Sequence, residues 1–219
     1  MATVERVHVE IWSEIACPWC YVGKRRFERA LAEFEGRHAV GITWRSFELD
    51  PHAPRENGVD VATLVARKYG RTREQVLAMH AEMTRMAAAE GVEFRFDLAR
   101  RGNTFDAHRL LHLAAEHGLQ DGMKERLLRA YHAEGVVIGD RSELERLAVE
   151  VGLPEDDARE TLAGDRFAVA VREDERLAAE LDIHAVPAFV VDRRVAISGA
   201  QQPALFLKLL RRAAQPAPR

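Results

Sequence analysis

Residues 7–20 read VHVEIWSEIACPWC, and this stretch decides the fold of the 219-residue chain. Residues 7–12 alternate between apolar and polar side chains and are rich in β-branched residues, which predicts a strand. Apolar residues then recur at helical spacing from Pro18 to about Phe34, and residues 40–49 predict a second strand. A strand, a helix and a strand in this order favour parallel pairing of the two strands through a right-handed crossover.

Cys17 and Cys20 are the only two cysteines of the chain, and they stand where the predicted strand gives way to the helix. A disulfide that closes so short a loop stabilises a protein little, and a CxxC beside a β-α-β pattern is typical of thiol–disulfide chemistry. A zinc site is the main structural alternative, but it needs four ligands. His108 and His112, four residues apart, lack an acidic ligand pattern, so we expect redox chemistry and no metal.

The position of the CxxC gives each residue a predicted role. With Cys17 as the N-cap, Pro18 occupies the first helical position, where its missing N–H costs nothing. Free backbone N–H groups and the helix dipole stabilise a thiolate, so we expect Cys17 to be the solvent-facing nucleophile with the lower pKa. Cys20 lies one turn on and deeper, and we expect it to have the higher pKa and to resolve the mixed disulfide. Trp19 is expected to lie exposed beside the sulfurs and, with Pro18, to contact the substrate.

The middle of the chain has a different character from its ends. Residues 59–164 have a helical period almost throughout and show no convincing strand. After them, residues 165–181 predict a helix, residues 186–197 a hairpin of two strands, and residues 203–212 a last helix. The order predicts an α/β fold with a thioredoxin-like core, β-α-β … α-β-β-α, interrupted by an all-α insertion.

This order also predicts the domain organisation. We expect residues 1–55 and 165–219 to form one discontinuous thioredoxin-like domain. Residues 56–164 are then a helical insertion domain, about the size of a small domain, that sits over the core as a lid.

Composition and charge restrict the partners of the chain. The net charge is only -3, the charged residues are interspersed, and no basic stripe interleaves with aromatic residues, which argues against nucleic acid. No apolar run approaches the roughly 20 residues that a membrane helix needs. Residues 1–9 lack the apolar core of a signal peptide, so we expect a cytoplasmic protein. The sequence does not give the oligomeric state.

Three blocks of sequence carry a resemblance to a known family. They are CPWCYVGK at residues 17–24, NTFDAHRL at residues 103–110, and VPAFV at residues 186–190 with SGAQ at residues 198–201. Together they resemble the FrnE-like branch of the DsbA family, and they span nearly the whole chain. The resemblance implies a disulfide oxidoreductase that exchanges disulfides with a peptide or a small thiol. It implies no required cofactor and leaves glutathione open as a co-substrate.

The resemblance also implies a role for the proline before the third strand. In that family this proline is cis and lies against the active-site cysteines, and the matching residue here is Pro187. The backbone of Val186 is then free to pair with an extended substrate. Glu14, three residues before Cys17, either tunes the thiolate or is a solvated loop residue.

The block at residues 103–110 leaves two interpretations open. Asn103 or Thr104 can be a helix N-cap, a role that both residue types favour. Alternatively, Asn103, Phe105 and His108 face the cysteines and line the substrate cleft between the two lobes.

Two other functional classes remain as alternatives. The related 2-hydroxychromene-2-carboxylate isomerases resemble this fold but typically carry serine at the attacking position. The presence of both Cys17 and Cys20 therefore favours disulfide exchange over glutathione-dependent isomerisation of an aromatic or polyketide-like molecule. The third class is a binding protein that uses the cleft without catalysis.

Overall fold

The computed structural model describes residues 7–55 and 58–215, and a four-stranded sheet lies at its centre. The strands follow the spatial order β2-β1-β3-β4. Strand β1 pairs in parallel with β2 and antiparallel with β3, and β4 pairs antiparallel with β3. The bounds are β1 Val7–Ser13, β2 Val40–Ser46, β3 Ala188–Val191 and β4 Val195–Ser198.

Nine α-helices surround this sheet in the described part of the chain, and six of them lie between β2 and the helix that precedes β3. Within residues 7–55 and 58–215, no helix combines the length and the apolar character needed to cross a membrane. The helices are α1 Pro18–Glu33, α2 Val61–Tyr69, α3 Arg73–Ala89, α4 Phe105–Glu116, α5 Gln120–His132, α6 Arg141–Glu150, α7 Glu155–Ala163, α8 Ala168–Glu180 and α9 Pro203–Ala213.

The predicted α/β fold with a thioredoxin-like core is confirmed, and the differences lie at element ends. Strand β2 stops at Ser46, three residues before the predicted end. Helix α8 begins only at Ala168, because its N-cap Phe167 adopts a left-handed conformation that a helix interior does not allow. The predicted turn between β3 and β4 is present, with positive φ at both Asp192 and Arg193, the pattern of a type I′ hairpin.

Four hydrophobic clusters lie in the described part of the chain, and the two with the most residues differ in character. The cluster between the sheet, α1 and α9 is aromatic, and Phe189 has ring centroids 5.4 Å from Phe27 and 4.5 Å from Phe206. The cluster among α4 to α7 is dominated by leucine and alanine, and Ile15 of the loop before Cys17 packs into it. The active-site loop is therefore anchored in the helical cluster. The division into two domains at residues 55 and 165 stays a prediction.

Candidate active site

The N-terminus of α1 positions the two cysteines as the sequence predicts. Cys17 is the N-cap with extended backbone angles, and Pro18 follows at the first helical position. The N–H of Cys20 donates to the carbonyl of Cys17 at 3.0 Å, which closes the first turn and keeps both side chains on one face. Both are free thiols.

Access to the two sulfurs differs. Cys17 exposes only 5% of its surface, but it lines a cavity of about 370 Å³ together with Pro18 and Trp19. Cys20 exposes 1% and does not line that cavity. Trp19 is 38% exposed at the cavity wall. Both cysteines are thus buried rather than solvent-facing, and of the two only Cys17 lines the cavity.

The other walls of the cavity come from distant parts of the chain, and the sequence analysis predicted none of these residues as a lining residue. Helices α2 and α3 contribute mainly apolar side chains, and three cationic residues also line it. Such a cavity has the size and the apolar character of small-molecule sites. The residues are Leu49, Asp50 and Ala53 after β2, Val61, Val65, Lys68 and Tyr69 of α2, Met79, His80 and Met83 of α3, Arg71 between these helices, Phe96, Ala99, Arg101, Gly102 and Thr104 before α4, and Tyr131 and His132 of α5.

The cis-proline loop approaches Cys17 but does not line the cavity. The Val186–Pro187 peptide bond is cis, as the resemblance implies. Cys17 Sγ lies 3.8 Å from the carbonyl oxygen of Val186. Gly23 of α1 permits this approach, because a Cβ at that position would come within 2.9 Å of Pro187 Cγ. Sequence analysis did not identify this role of Gly23.

A single peptide group joins Cys20 to a buried cation. The N–H of Glu14 donates to Cys20 Sγ at 3.4 Å, and the carbonyl of Ser13 accepts from Lys124 Nζ at 3.1 Å. The Ser13 carbonyl and the Glu14 N–H belong to the same peptide bond. Lys124 has no exposed surface.

Lys124 was also missed in the sequence, although its helix carries a signal. On α5, Lys124 stands three, four and seven residues before the buried Leu127, Leu128 and Tyr131. It therefore occupies the apolar stripe of an amphipathic helix, where a charge is costly unless it is paired.

The two thiols titrate as a coupled pair, and the order of their pKa values is the reverse of the predicted one. Burial raises the pKa of Cys20, but a hydrogen bond from Cys17, the Lys124 ammonium and the Glu14 N–H outweigh it, so this pKa lies below its ordinary value. The pKa of Cys17 is raised well above its ordinary value because its proton is held by Cys20 and its thiol is buried. The prediction of a lower pKa for Cys17 is therefore wrong.

Glu14 is not a solvated loop residue but a buried carboxylate. It accepts from the N–H of Ile15 at 2.6 Å, from the N–H of Leu49 at 3.0 Å and from the hydroxyl of Thr104 at 3.1 Å. His108 Nε2 lies 3.5 Å away. Burial raises the pKa of Glu14, but these donors, led by His108, lower it to about 2. Its charge raises the pKa of Cys17.

His132 closes the wall of the cavity next to this carboxylate network. Its Nε2 donates to the carbonyl of Ile15 at 3.0 Å, and its ring packs against Tyr21, Phe94 and Tyr131. Burial lowers the pKa of His132 to about 3. The imidazole is therefore neutral at physiological pH.

Asn103, Phe105 and His108 do not line the cavity, contrary to one of the two predictions for them. Thr104 is the N-cap of α4 but makes no side-chain cap bond, and the preceding Asn103 accepts from the N–H of Phe105 through its Oδ1 at 2.9 Å, so these two residues form the helix start as the other prediction describes. The Phe105 ring faces the guanidinium of Arg172, 4.3 Å from its centroid, and lines a separate pocket with Asn103. His108 is fully buried beneath Glu14. The helix start at Asn103, Thr104 and Phe105 accounts for the position of the Asn103 side chain, so no contact with a substrate is needed to explain it.

Comparison with known proteins identifies the family. The DSBA-like thioredoxin domain model matches residues 8–211. The uncharacterised protein YwbO of Bacillus subtilis strain 168 is 30% identical over 206 residues, which is 93% of this chain and 96% of that protein. The crystal structure of a probable DsbA oxidoreductase from Streptomyces coelicolor is 44% identical and superposes with a TM-score of 0.92, covering 97% of this chain and 92% of that chain.

Two structures of lower identity share the fold. The cytosolic disulfide reductase DsbM of Pseudomonas aeruginosa, solved with GSH, is 21% identical with a TM-score of 0.65, and 94% of this chain and 98% of that chain are covered. A 2-hydroxychromene-2-carboxylate isomerase is 12% identical with a TM-score of 0.69, with 94% and 95% covered. The family match and the identity to YwbO confirm the resemblance to the DsbA family that the three sequence blocks carry. The chain belongs to the family of DSBA-like thioredoxin domain proteins.

Proposed function

We propose that this protein is a thiol–disulfide oxidoreductase that works through a mixed disulfide on Cys17. The observation that carries the proposal is the pair itself. Cys17 opens into a cavity at the N-terminus of α1, and Cys20 lies one turn further along the same helix with a lowered thiol pKa. A dithiol in contact can give up two electrons and close to a disulfide without a metal or an organic cofactor.

The first step makes Cys17 the nucleophile. The proton of Cys17 moves along its hydrogen bond to Cys20, and the Cys17 thiolate attacks one sulfur of the substrate disulfide. The substrate S–S bond breaks, one half leaves as a thiolate, and the other half stays bonded to Cys17. The carbonyl of Val186, 3.8 Å from Cys17 Sγ, is placed to accept from an N–H of an extended peptide substrate.

The second step releases the substrate. The Cys20 thiol loses its proton to the departed thiolate, and the Cys20 thiolate attacks Cys17 Sγ. The mixed disulfide breaks, the second half leaves as a thiolate, and the Cys17–Cys20 disulfide forms. Two electrons have passed from the protein to the substrate, and two molecules of a thiol such as glutathione can return them by the same exchange.

The partner that we propose is a thiol- or disulfide-containing peptide or small molecule in the cytoplasm. The size of the cavity, about 370 Å³, accommodates a small molecule or one side chain of a peptide. The DsbM structure with GSH makes glutathione the first small thiol to test.

Replacing each cysteine separately tests the proposal. Cys20→Ser leaves the nucleophile but removes the resolving thiol, so incubation with oxidised glutathione should give a protein that carries one glutathione, visible by intact-protein mass spectrometry. Cys17→Ser should form no such adduct at a comparable rate, because Cys20 does not reach the cavity. Equal labelling of both variants, or no turnover of any disulfide by the wild-type protein, would contradict the proposal.

Glutathione-dependent isomerisation is a second candidate because the cavity is apolar and partly aromatic. Phe96, Tyr131 and Trp19 line it, as suits an aromatic substrate. An isomerase needs only one sulfur, so Cys20→Ser should retain isomerisation of 2-hydroxychromene-2-carboxylate with glutathione present. Disulfide exchange by the same variant should stop after the first half-reaction. The two functions are thus separated by one substitution.

A further inference from the structure

The chain has three tyrosines, and their hydroxyl groups differ in what they contact. Tyr69 of α2 is exposed, whereas Tyr21 of α1 and Tyr131 of α5 each expose only 4% of their surface. The hydroxyl of Tyr21 donates to Glu125 Oε1 at 2.7 Å. The hydroxyl of Tyr131 has no hydrogen-bond partner among residues 7–55 and 58–215. A buried tyrosine usually has such a partner, so the unpaired hydroxyl of Tyr131 needs an explanation.

The position of Tyr131 indicates where a partner can come from. Its ring belongs to the leucine- and alanine-rich cluster among α4 to α7, and it meets the His132 ring edge-on with the two centroids 4.9 Å apart. The same residue lines the cavity beside Cys17. A molecule that binds in this cavity is therefore placed to accept a hydrogen bond from the hydroxyl.

The polar neighbours of Tyr131 in the cavity do not accept this hydrogen bond. Cys17 and Glu14 line the same cavity, and their charges act on the hydroxyl. The Glu14 carboxylate already accepts three other hydrogen bonds of 3.1 Å or less. Burial raises the pKa of Tyr131 to about 12, so the hydroxyl keeps its proton at neutral pH. The cavity thus holds a nucleophilic sulfur and a proton donor that are not bonded to each other.

Disulfide exchange creates a negative charge that such a donor can stabilise. When the Cys17 thiolate bonds to one sulfur of a substrate disulfide, the S–S bond breaks and its electron pair stays on the other sulfur. The attack is in line, so the leaving sulfur lies on the side of the attacked sulfur that faces away from Cys17. A donor in the cavity wall that does not bind Cys17 itself suits this position, and a donor fixed in place before the reaction lowers the barrier.

We propose that Tyr131 is a catalytic residue of the first exchange step and that its hydroxyl donates a hydrogen bond to the leaving sulfur of the substrate disulfide. The inference rests on the proposed function and adds a residue to it. The proton stays on Tyr131, since an ordinary thiol has a pKa of only about 8.5, and the departed thiolate takes its proton from the medium. Substrates whose thiols have a high pKa, and which leave slowly without help, gain most.

The Cys20→Ser protein tests the inference because its reaction stops after the first step. In this background, Tyr131→Phe removes only the hydroxyl. Tyr21→Phe is the matched control, since Tyr21 is equally buried but does not line the cavity. Formation of the glutathione adduct from oxidised glutathione is followed by intact-protein mass spectrometry. We expect Tyr131→Phe to slow it about tenfold, the effect of losing one hydrogen bond to a charged sulfur, and Tyr21→Phe to leave it unchanged.

Two other reagents separate an effect on the leaving group from an effect on Cys17. Iodoacetamide alkylates Cys17 with iodide as the leaving group, so Tyr131→Phe should change neither the rate of alkylation nor its pH profile. Dithiobis(nitrobenzoate) releases an aromatic thiolate that its own ring stabilises, so Tyr131→Phe should slow this reaction less than the reaction with oxidised glutathione. If the reactions with iodoacetamide and oxidised glutathione slowed by the same factor, the hydroxyl would act on Cys17, and the inference would be overturned.

Urea denaturation shows whether the effect is merely structural. Tyr131→Phe should be as stable as its parent, because its hydroxyl has no partner within the described chain, whereas Tyr21→Phe should be less stable because it loses the bond to Glu125. An unchanged rate with oxidised glutathione in folded Tyr131→Phe would overturn the inference and leave the proposed function in place. If the Cys20→Ser protein itself formed no adduct, the proposed function would fail as well.

A measurement on the wild-type protein covers the case in which Tyr131→Phe does not fold. The rate of the first step is measured with a series of substituted aryl disulfides and plotted against the pKa of the thiol that each releases. A donor at the leaving sulfur makes the rate less sensitive to this pKa, so we expect a shallower slope for the protein than for free N-acetylcysteine. Equal slopes would overturn the inference.

Discussion

On the side of Cys17, a cavity of about 370 Å³ lies beside the sulfur, between mainly apolar walls from α2 and α3. On the side of Cys20, the sulfur is sealed against the Ser13–Glu14 peptide group, with Glu14 and Lys124 behind it. We call these the cavity side and the buried side. Different parts of the structure therefore control access to Cys17 and ionisation of the thiols. Access requires open space beside the sulfur, whereas ionisation depends on fixed charges that are shielded from water.

Removing Glu14 should have the largest effect, because the buried side depends on its carboxylate. Glu14→Ala leaves the N–H groups of Ile15 and Leu49 and the hydroxyl of Thr104 without an acceptor. We expect a loss of about 3–5 kcal/mol of unfolding free energy at pH 7. Urea denaturation of both proteins measures it.

The pH dependence of that loss identifies the carboxylate as its source. The folded pKa of about 2 lies below the ordinary 4.5, so Glu14 stabilises the protein above pH 4.5 and loses this contribution as the pH falls toward 2. The difference in unfolding free energy between the wild type and Glu14→Ala should therefore be smaller at pH 3 than at pH 7. Glu82→Ala, at an exposed position of α3, is the control substitution. If the difference in unfolding free energy between the wild type and Glu14→Ala stayed constant with pH, the Glu14 carboxylate would not be its source.

Gly23→Ala should disturb the cis-proline loop and leave the residues of the cavity side and the buried side unchanged. The new Cβ would lie 2.9 Å from Pro187 Cγ, a ring atom with little freedom to move. We expect a loss of about 3 kcal/mol and slower exchange, since Val186 is displaced from Cys17. Gly122→Ala on α5, where no atom lies within 4 Å of the new Cβ, is the control and should stabilise the helix by about 0.5–1 kcal/mol. Similar stabilities for both variants would show that the contact is unimportant.

His132→Phe should change how stability depends on pH. The folded pKa of about 3 lies below the ordinary 6.5, so below pH 6.5 the unfolded chain binds a proton that the folded protein does not. Stability is therefore lost as the pH falls from 6.5 toward 3, by up to about 1.4 kcal/mol for each pH unit. Between pH 6.5 and 5 we expect the wild type to lose about 2 kcal/mol more than His132→Phe. If the unfolding free energies of the wild type and His132→Phe, measured by chemical denaturation, depended on pH in the same way, the lowered pKa of His132 would be contradicted.

A substitution that narrows the cavity should have the smallest effect on free energy and should not change the ionisation of the two thiols. Met79 lines the cavity from α3, and Met79→Trp would reduce the space beside Cys17. We expect KM for a bulky disulfide to rise about tenfold, which corresponds to about 1.4 kcal/mol, while the thiolate titration stays in place. Leu77→Trp, on the same helix but exposed and outside the cavity, is the control. A changed titration would mean that the two sides are not independent.

Local patterns account for what the sequence predicted correctly. The N-cap position of Cys17, the place of Pro18 and the Asp192–Arg193 turn each follow from backbone geometry over a few residues. Asn103 is instructive, since its cap role needed only its neighbours, whereas the predicted role in the cleft needed the tertiary structure and was not found. The expected pKa order of the cysteines used the helix dipole alone and left out burial and the hydrogen bond between the two thiols.

The strand–CPWC–helix unit and the thioredoxin-like core around it follow from the sequence, because hydrophobic period, capping and turn chemistry act over short distances. The surroundings of the two sulfurs are visible only in the tertiary structure. Lys124 reaches the Ser13 carbonyl across 111 residues of chain, and the cavity exists only where α2 and α3 pack near Cys17. Electrostatic and packing effects fall off with distance through space, so residues far apart in the chain decided the chemistry of the pair.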